Sequence, residues 1–150
     1  MQIPTTLIRQ ARQDELPAVA AMYEQAGYKG TASPSDMVIV AVHDGRIIAA
    51  VRLCDEFGTT VLRGMYMLRE FQRCGIGSEL LRFAEASLTL RACYCIPYRH
   101  LETFYGLIGF KRIDESSAPR ELRERCDWYR SEGADVILME RAAHSRVPSN

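Results

Sequence analysis

The sequence predicts an α/β domain, and three observations carry that prediction. Strand-sized apolar runs alternate along the chain with segments of helical periodicity. The pair Asp44-Gly45 separates two apolar runs in the pattern of a β-hairpin. An apolar run at 61–68 is joined to an amphipathic one at 78–88 by Gln72-Arg73-Cys74-Gly75-Ile76-Gly77, a strand, loop and helix in succession. With 150 residues and 47% apolar content, the chain suits one domain over 1–150 that buries a single core without disulfide or metal support.

The elements follow in order. Residues 6–9 read as a first strand. Asp14 stands where it can cap a helix in which Leu16, Val19, Ala20 and Tyr23 keep helical spacing until Gly27 ends it. Residues 30–35 form a polar loop, and 38–42 and 47–53 pair as a hairpin about 43–46. Gly58-Thr59 turns the chain into the strand at 61–68, which leads through the glycine loop into a helix ending near residue 90. Residues 92–96 form another strand, stopped by Pro97. Leu101, Phe104, Tyr105 and Ile108 lie at i, i+3, i+4 and i+7, one helix face, and Gly109-Phe110 fits a left-handed cap with an apolar clasp. A further helix starts near Ser117 with Pro119 in its first turn and sets Leu122, Cys126 and Tyr129 on one face until Gly133. Its Glu121 and Arg125, at i and i+4, read as a pair on the exposed side. Residues 136–139 close the sheet, and 141–150 read as a flexible polar tail.

Charge and composition exclude several roles. Nineteen basic residues balance nineteen acidic ones, so no overall field favours nucleic acid or an anionic membrane. Neither a transmembrane run nor a signal peptide is visible after Met1-Gln2-Ile3-Pro4, and the expected location is cytoplasmic. Cys54, Cys74, Cys93, Cys95 and Cys126 are odd in number and lack C-x-x-C spacing, and all five read as thiols without a metal.

The chemistry concentrates in the glycine loop. A loop between a strand and a helix N-terminus gathers unpaired backbone N–H groups at the positive end of the helix dipole, a setting for an anion and most often a phosphate. Glycine permits the dihedrals and close approach such a loop demands, and Arg73 adds a fixed positive charge. A P-loop would need Lys and Ser or Thr after its last glycine, whereas Ser78-Glu79 follow Gly77. A dinucleotide fingerprint would need a third small residue where Leu80 stands. An ordinary strand-to-helix turn is the plain alternative.

The segment resembles the Q/R-x-x-G-x-G/A pyrophosphate loop of the Gcn5-related N-acetyltransferase (GNAT) superfamily. Met67 precedes the loop at the family's spacing, and Phe104-Tyr105-Gly106-Leu107-Ile108-Gly109-Phe110 is similar to its second hallmark, F-Y-x-x-x-G-F. The resemblance implies a mixed central sheet with splayed parallel strands and flanking helices. It implies acetyl-CoA as cosubstrate, no metal, and direct acetyl transfer to a primary amine of a small molecule or peptide; it admits a homodimer. Gln72, Arg73, Cys74, Gly75, Ile76, Gly77 and Ser78 would hold the pyrophosphate, and the main chain of Met65, Tyr66 and Met67 the pantetheine arm, with Met67 N–H on the thioester carbonyl. Tyr105 would protonate the departing thiolate, against a plain reading as a core tyrosine. The asparagine that relatives often carry after the next strand is absent from Pro97-Tyr98-Arg99.

No general base stands out. Relatives often place Glu or His where this chain has Val61 and Arg63, which leaves water, or Glu56 or His100 through water. Arg63 shares the parity of Met65 and Met67 and reads either as a contact for an acidic acceptor group or as the partner of Asp55 or Glu56. The rival class is a CoA-binding sensor or interaction module without turnover.

Overall fold

The computed structural model describes residues 6–143. Seven strands, β1 (Thr6–Gln10), β2 (Met37–His43), β3 (Arg46–Glu56), β4 (Thr59–Met67), β5 (Cys93–Cys95), β6 (Lys111–Arg112) and β7 (Met139–Arg141), join in one mixed sheet of order β1-β2-β3-β4-β5-β7-β6. The helices are α1 (Leu16–Ala26), α2 (Ile76–Leu88), α3 (Glu102–Gly106) and α4 (Arg120–Ser131). This is the mixed α/β architecture expected. The chain falls into two compact units: residues up to Asp55 with Leu62–Ser87, and Glu56–Val61 with the residues from Leu88 onward.

In the first unit β1, β2 and β3 run antiparallel in sequence. The β2–β3 turn has Asp44 at φ 50° and Gly45 at φ 76°, the two positive values a two-residue turn needs to match strand twist. Every residue of β3 from Ile47 to Cys54 is buried, so both of its faces are covered and it is a central strand. The chain enters α1 through a 3-10 turn, and Asp14 is not its cap. The side-chain bond here is made by Glu15 and closes the 3-10 turn: its carboxylate accepts the Arg12 N–H at 2.9 Å and two bonds from Arg9 at 2.7 and 2.8 Å. The buried stripe of α1 is Val19, Met22 and Tyr23, with Ala20 exposed. Both positions are apolar in sequence, and the stripe lies one place round from the expected one. Gly27 ends the helix at φ 85°, as expected.

In the second unit Val61, Ala118, Leu122, Cys126 and Leu138 form a core with Tyr94, Ile96 and Ile113 against it. β4 and β5 pair in parallel at Val61 and Tyr94, and β7 pairs antiparallel with both β5 and β6. The turn before β4 is Phe57-Gly58, at φ 54° and 75°, one residue earlier than the sequence suggested. The closing strand also differs. β7 begins at Met139, Val136 makes only an isolated bridge to Tyr98, and the run between them is buried off the ladder, so burial alone mimicked a strand. Arg141, placed in the tail from sequence, ends β7, is buried, and donates Nε–H to the Ile108 carbonyl at 2.9 Å. The rest of the expected tail lies largely outside the described residues. Arg125 does not pair with Glu121: it turns to Glu56 through two bonds of 3.0 and 3.2 Å, and the i, i+4 pair of α4 is Arg120–Glu124 at 3.1 Å.

Candidate functional site

The glycine segment follows β4 as the sequence placed it, but α2 starts at Ile76, two residues earlier than expected, and takes in Ile76 and Gly77. Leu68 N–H donates to the Ile48 carbonyl at 2.9 Å and ties the end of β4 to β3. A 3-10 turn over Arg69–Phe71 then reverses the chain, with Gln72 N–H on the Arg69 carbonyl at 3.2 Å. Arg73 and Gly75 take left-handed backbone, at φ 65° and 81°. For Arg73 this is a sterically disfavoured state of order 1–3 kcal/mol, held by its surroundings. A Cβ on Gly75 would meet nothing within 4 Å, so the demand for glycine there is conformational and not one of space.

The first intrahelical bond of α2 runs from Glu79 N–H to the Gly75 carbonyl at 3.2 Å. The N–H groups of Ile76, Gly77 and Ser78 therefore precede the helical ladder. Gln72, Arg73, Cys74 and Gly75 are exposed, whereas Ile76 and Gly77 are buried, which anchors the helix and leaves the loop to solvent. Its donors, dipole and one arginine suit a phosphate or pyrophosphate.

Before the loop, Met65, Tyr66 and Met67 are half-buried, and the Tyr66 ring stacks on Tyr28 with centroids 4.5 Å apart. Gly64 has φ 66° inside β4. A left-handed residue re-aims the peptides after it, so the side-chain parity read from Val61 through Met67 does not carry across this position. Arg63 is half-buried.

Sequence reasoning passed over the group that surrounds Gly64. Tyr23 is buried and its hydroxyl donates to the Gly64 carbonyl at 2.8 Å. Arg52 is buried in β3 and donates to the Thr31 carbonyl at 2.8 Å, to Asp36 at 3.0 Å and to the Tyr28 hydroxyl. Its guanidinium carbon lies 5.8 and 5.7 Å from the Tyr23 and Tyr28 ring centroids. Burial pushes the Tyr23 hydroxyl pKa well up, so it stays a donor. Burial works against the Arg52 charge, but the neighbouring tyrosines and Asp36 outweigh it and the guanidinium is held charged. The signal that could have found this group is a lone arginine inside the apolar run at 47–53.

In the second unit Tyr105 is buried on α3, edge-on to Phe104 at 5.0 Å and to Phe110 at 6.2 Å, and Gly109 supplies the left-handed turn at φ 95°. Exposed His100 stacks on Tyr98 at 5.9 Å, and Arg99 pairs with Asp135 at 3.1 Å. All five cysteines are thiols outside any disulfide, and Cys74 alone among them is exposed. Burial pushes the Cys126 thiol up to about 11 and raises Cys95 as well, so neither is a nucleophile at neutral pH. Among the described residues no group of three or more His, Cys, Asp or Glu is placed to hold a metal, and no helix is long and apolar enough to cross a membrane.

A strand, a glycine-bearing anion loop and a helix within a mixed seven-stranded sheet define a class, and the sequence profile described as "Acetyltransferase (GNAT) domain" matches residues 34–112. That is just over half of the 150-residue chain, which therefore belongs to the GNAT acetyltransferase family. The fold is shared with the ribosomal-protein-S18-alanine N-acetyltransferase of Escherichia coli, at 15% identity and TM-score 0.70 over 97% of this chain and 99% of that one. The PaiA N-acetyltransferase of Thermoplasma acidophilum, solved with coenzyme A, matches at 16% identity and TM-score 0.64 over 93% and 99%. The N-acetylglutamate synthase of Neisseria gonorrhoeae, solved with coenzyme A and N-acetyl-glutamate, matches at 19% identity and TM-score 0.68 over 96% of this chain. This chain spans 36% of that synthase's length. No curated protein sequence matches the chain.

Proposed function

We propose that the protein transfers an acetyl group from acetyl-CoA directly to a primary amine of a small molecule or peptide. The observation that carries this reading is the loop at the start of α2, where left-handed Arg73 and Gly75 precede three N–H groups outside the helical ladder. Gln72, Arg73, Cys74, Gly75, Ile76, Gly77 and Ser78 hold the pyrophosphate, and the main chain of Met65, Tyr66 and Met67 takes the pantetheine arm. Acetyl-CoA supplies the activated thioester, and Met67 N–H polarises its carbonyl. Tyr105 returns a proton to the thiolate as it leaves. Solved neighbours named for N-acetylglutamate and for an alanine of ribosomal protein S18 make a carboxylate-bearing or peptide amine the first acceptors to try.

The test is thermal unfolding with and without acetyl-CoA. At about 100 times Kd the ligand should add roughly 2.7 kcal/mol to the wild type. Gly77→Glu puts bulk and negative charge among those N–H groups and should remove the ligand effect. Because Gly77 is buried, circular dichroism of the variant without ligand checks that it is folded, and Arg73→Glu at an exposed loop position repeats the test without that burial. A wild-type melting temperature indifferent to acetyl-CoA overturns the reading.

A further inference from the structure

We infer that Tyr23 is a positioning residue for the thioester, acting through Gly64. The inference rests on the function proposed above, which places the pantetheine arm on the backbone of Met65 to Met67, directly after Gly64, and the thioester carbonyl on Met67 N–H. A positive φ in a strand rotates the following peptide out of the regular pleat, and such a break aims its N–H and carbonyl only if something holds it. Here the holder is visible. The Gly64 carbonyl is taken by the Tyr23 hydroxyl at 2.8 Å and not by a free rotor, because the Tyr23 ring is buried and packs edge-on to Tyr28 at 4.6 Å and to Tyr66 at 6.5 Å.

The fit is close on both sides. A Cβ on Gly64 would stand 2.6 Å from the Tyr23 hydroxyl and 3.0 Å from Arg52 Nε, so glycine is required there by space as well as by φ. Arg52 in turn grips the loop after α1 through Thr31 and Asp36, and its contact with Tyr28 steadies the ring on which Tyr66 stacks. Both ends of the tripeptide Gly64-Met65-Tyr66 are therefore fixed from one cluster: the carbonyl of its first residue by Tyr23, the side chain of its last by Tyr28. A buried arginine with one carboxylate partner is a demanding arrangement to maintain, and a packed core would be simpler to build from apolar side chains. Its use is to set this one stretch of β4.

Tyr23→Phe tests the claim, since it keeps the ring, its packing and the Arg52 guanidinium 5.8 Å from the ring centroid, and deletes the hydroxyl with its contacts to the Gly64 carbonyl and to Arg52. Two readouts separate positioning from mere stability. Amide hydrogen exchange in the free protein should speed up at residues 64–67 while β2 and the first half of β3 are unchanged. With acetyl-CoA carrying a carbon-13 carbonyl, the infrared carbonyl band should be shifted to lower frequency by the wild type and less so by Tyr23→Phe, while Kd for CoA, which lacks the acetyl group, stays within about twofold. Once an acceptor is in hand, kcat should fall about 10- to 100-fold with KM for acetyl-CoA nearly unchanged, the scale expected of small misplacement. A Tyr23→Phe protein with the wild-type band position and exchange pattern overturns this inference and leaves the proposed function standing. A wild type that does not bind acetyl-CoA overturns both.

Discussion

Two side chains carry the part of the proposed chemistry that is most open to test. Tyr105 lies in an aromatic setting, edge-on to Phe104 and Phe110, so Tyr105→Phe preserves the ring packing and removes the hydroxyl, and with it the proton. A thiolate is a tolerable leaving group, because a free thiol has a pKa of about 8.5, so the acid assists without being indispensable. The mutant should bind acetyl-CoA normally, melt near the wild type and lose kcat by about 10² to 10⁴. The fall in wild-type rate at high pH caused by phenol ionisation should be missing from it. Unchanged kcat with chemistry rate-limiting would reduce Tyr105 to a packing residue. Arg63 is the residue proposed for the acceptor side. Arg63→Met should raise KM for carboxylate-bearing amines about 10- to 100-fold, the loss of one charge-assisted contact of roughly 1.5–3 kcal/mol, and should spare polyamines. An equal penalty on both would remove Arg63 from the acceptor site.

At the scale of elements, what was legible in the sequence was what local chemistry alone decides. Asp44-Gly45 and Gly27 each fix a left-handed position and end their elements where the residues said they would; Gly109 is left-handed as expected, but α3 has already ended at Gly106 and turns carry the chain from there. The strand, glycine loop and helix were readable for the same reason, since a helix N-terminus and its glycine are set within a few residues. Where tertiary pairing decides, the reading failed. β6 is two exposed residues, Lys111 and Arg112, with no apolar alternation to mark it, and it exists only because β7 lies beside it. Arg125 had an ideal helical partner in Glu121 and preferred Glu56, which is 69 residues away and offers two hydrogen bonds in a half-buried site. An exposed i, i+4 pair is worth only a few tenths of a kcal/mol, so the two-point contact wins. The turn before β4 reads one residue late from sequence because phenylalanine rarely accepts φ of 54°. The Arg52 group was invisible for a further reason. Its partners come from α1, the loop after it and β4, and only the fold brings them to one point.

For the molecule as a whole, the paired carboxylates set a direction for stability in acid. Glu15 is pulled down to about 2, first by its two bonds from Arg9 and then by the Arg12 N–H, from an ordinary value of 4.5. Glu115 is lowered by the Arg130 guanidinium, which it meets through two bonds of 2.8 Å. A carboxylate whose folded pKa lies below its unfolded one binds fewer protons in the folded state, so its contribution is complete above the unfolded value and is lost as pH falls through the folded one. For Glu15 that window runs from about 4.5 down to about 2. The size is modest, because Arg9 keeps 29% of its side-chain exposure and water screens the pair; about 1 kcal/mol at neutral pH is the scale. Glu15→Gln keeps an oxygen for the Arg12 N–H but cannot carry the charge. It should therefore be less stable than wild type by up to that amount at pH 7 in urea unfolding, with the gap closing between pH 4.5 and 2 and gone at the bottom of the window. Because Glu15 opens α1, whose Tyr23 holds Gly64, hydrogen exchange at residues 64–67 in acid should rise in the same window in the wild type, and at neutral pH already in Glu15→Gln. A stability gap independent of pH would show that Glu15 acts through its shape alone, and would break the link drawn between the charge at the start of α1 and the order of β4.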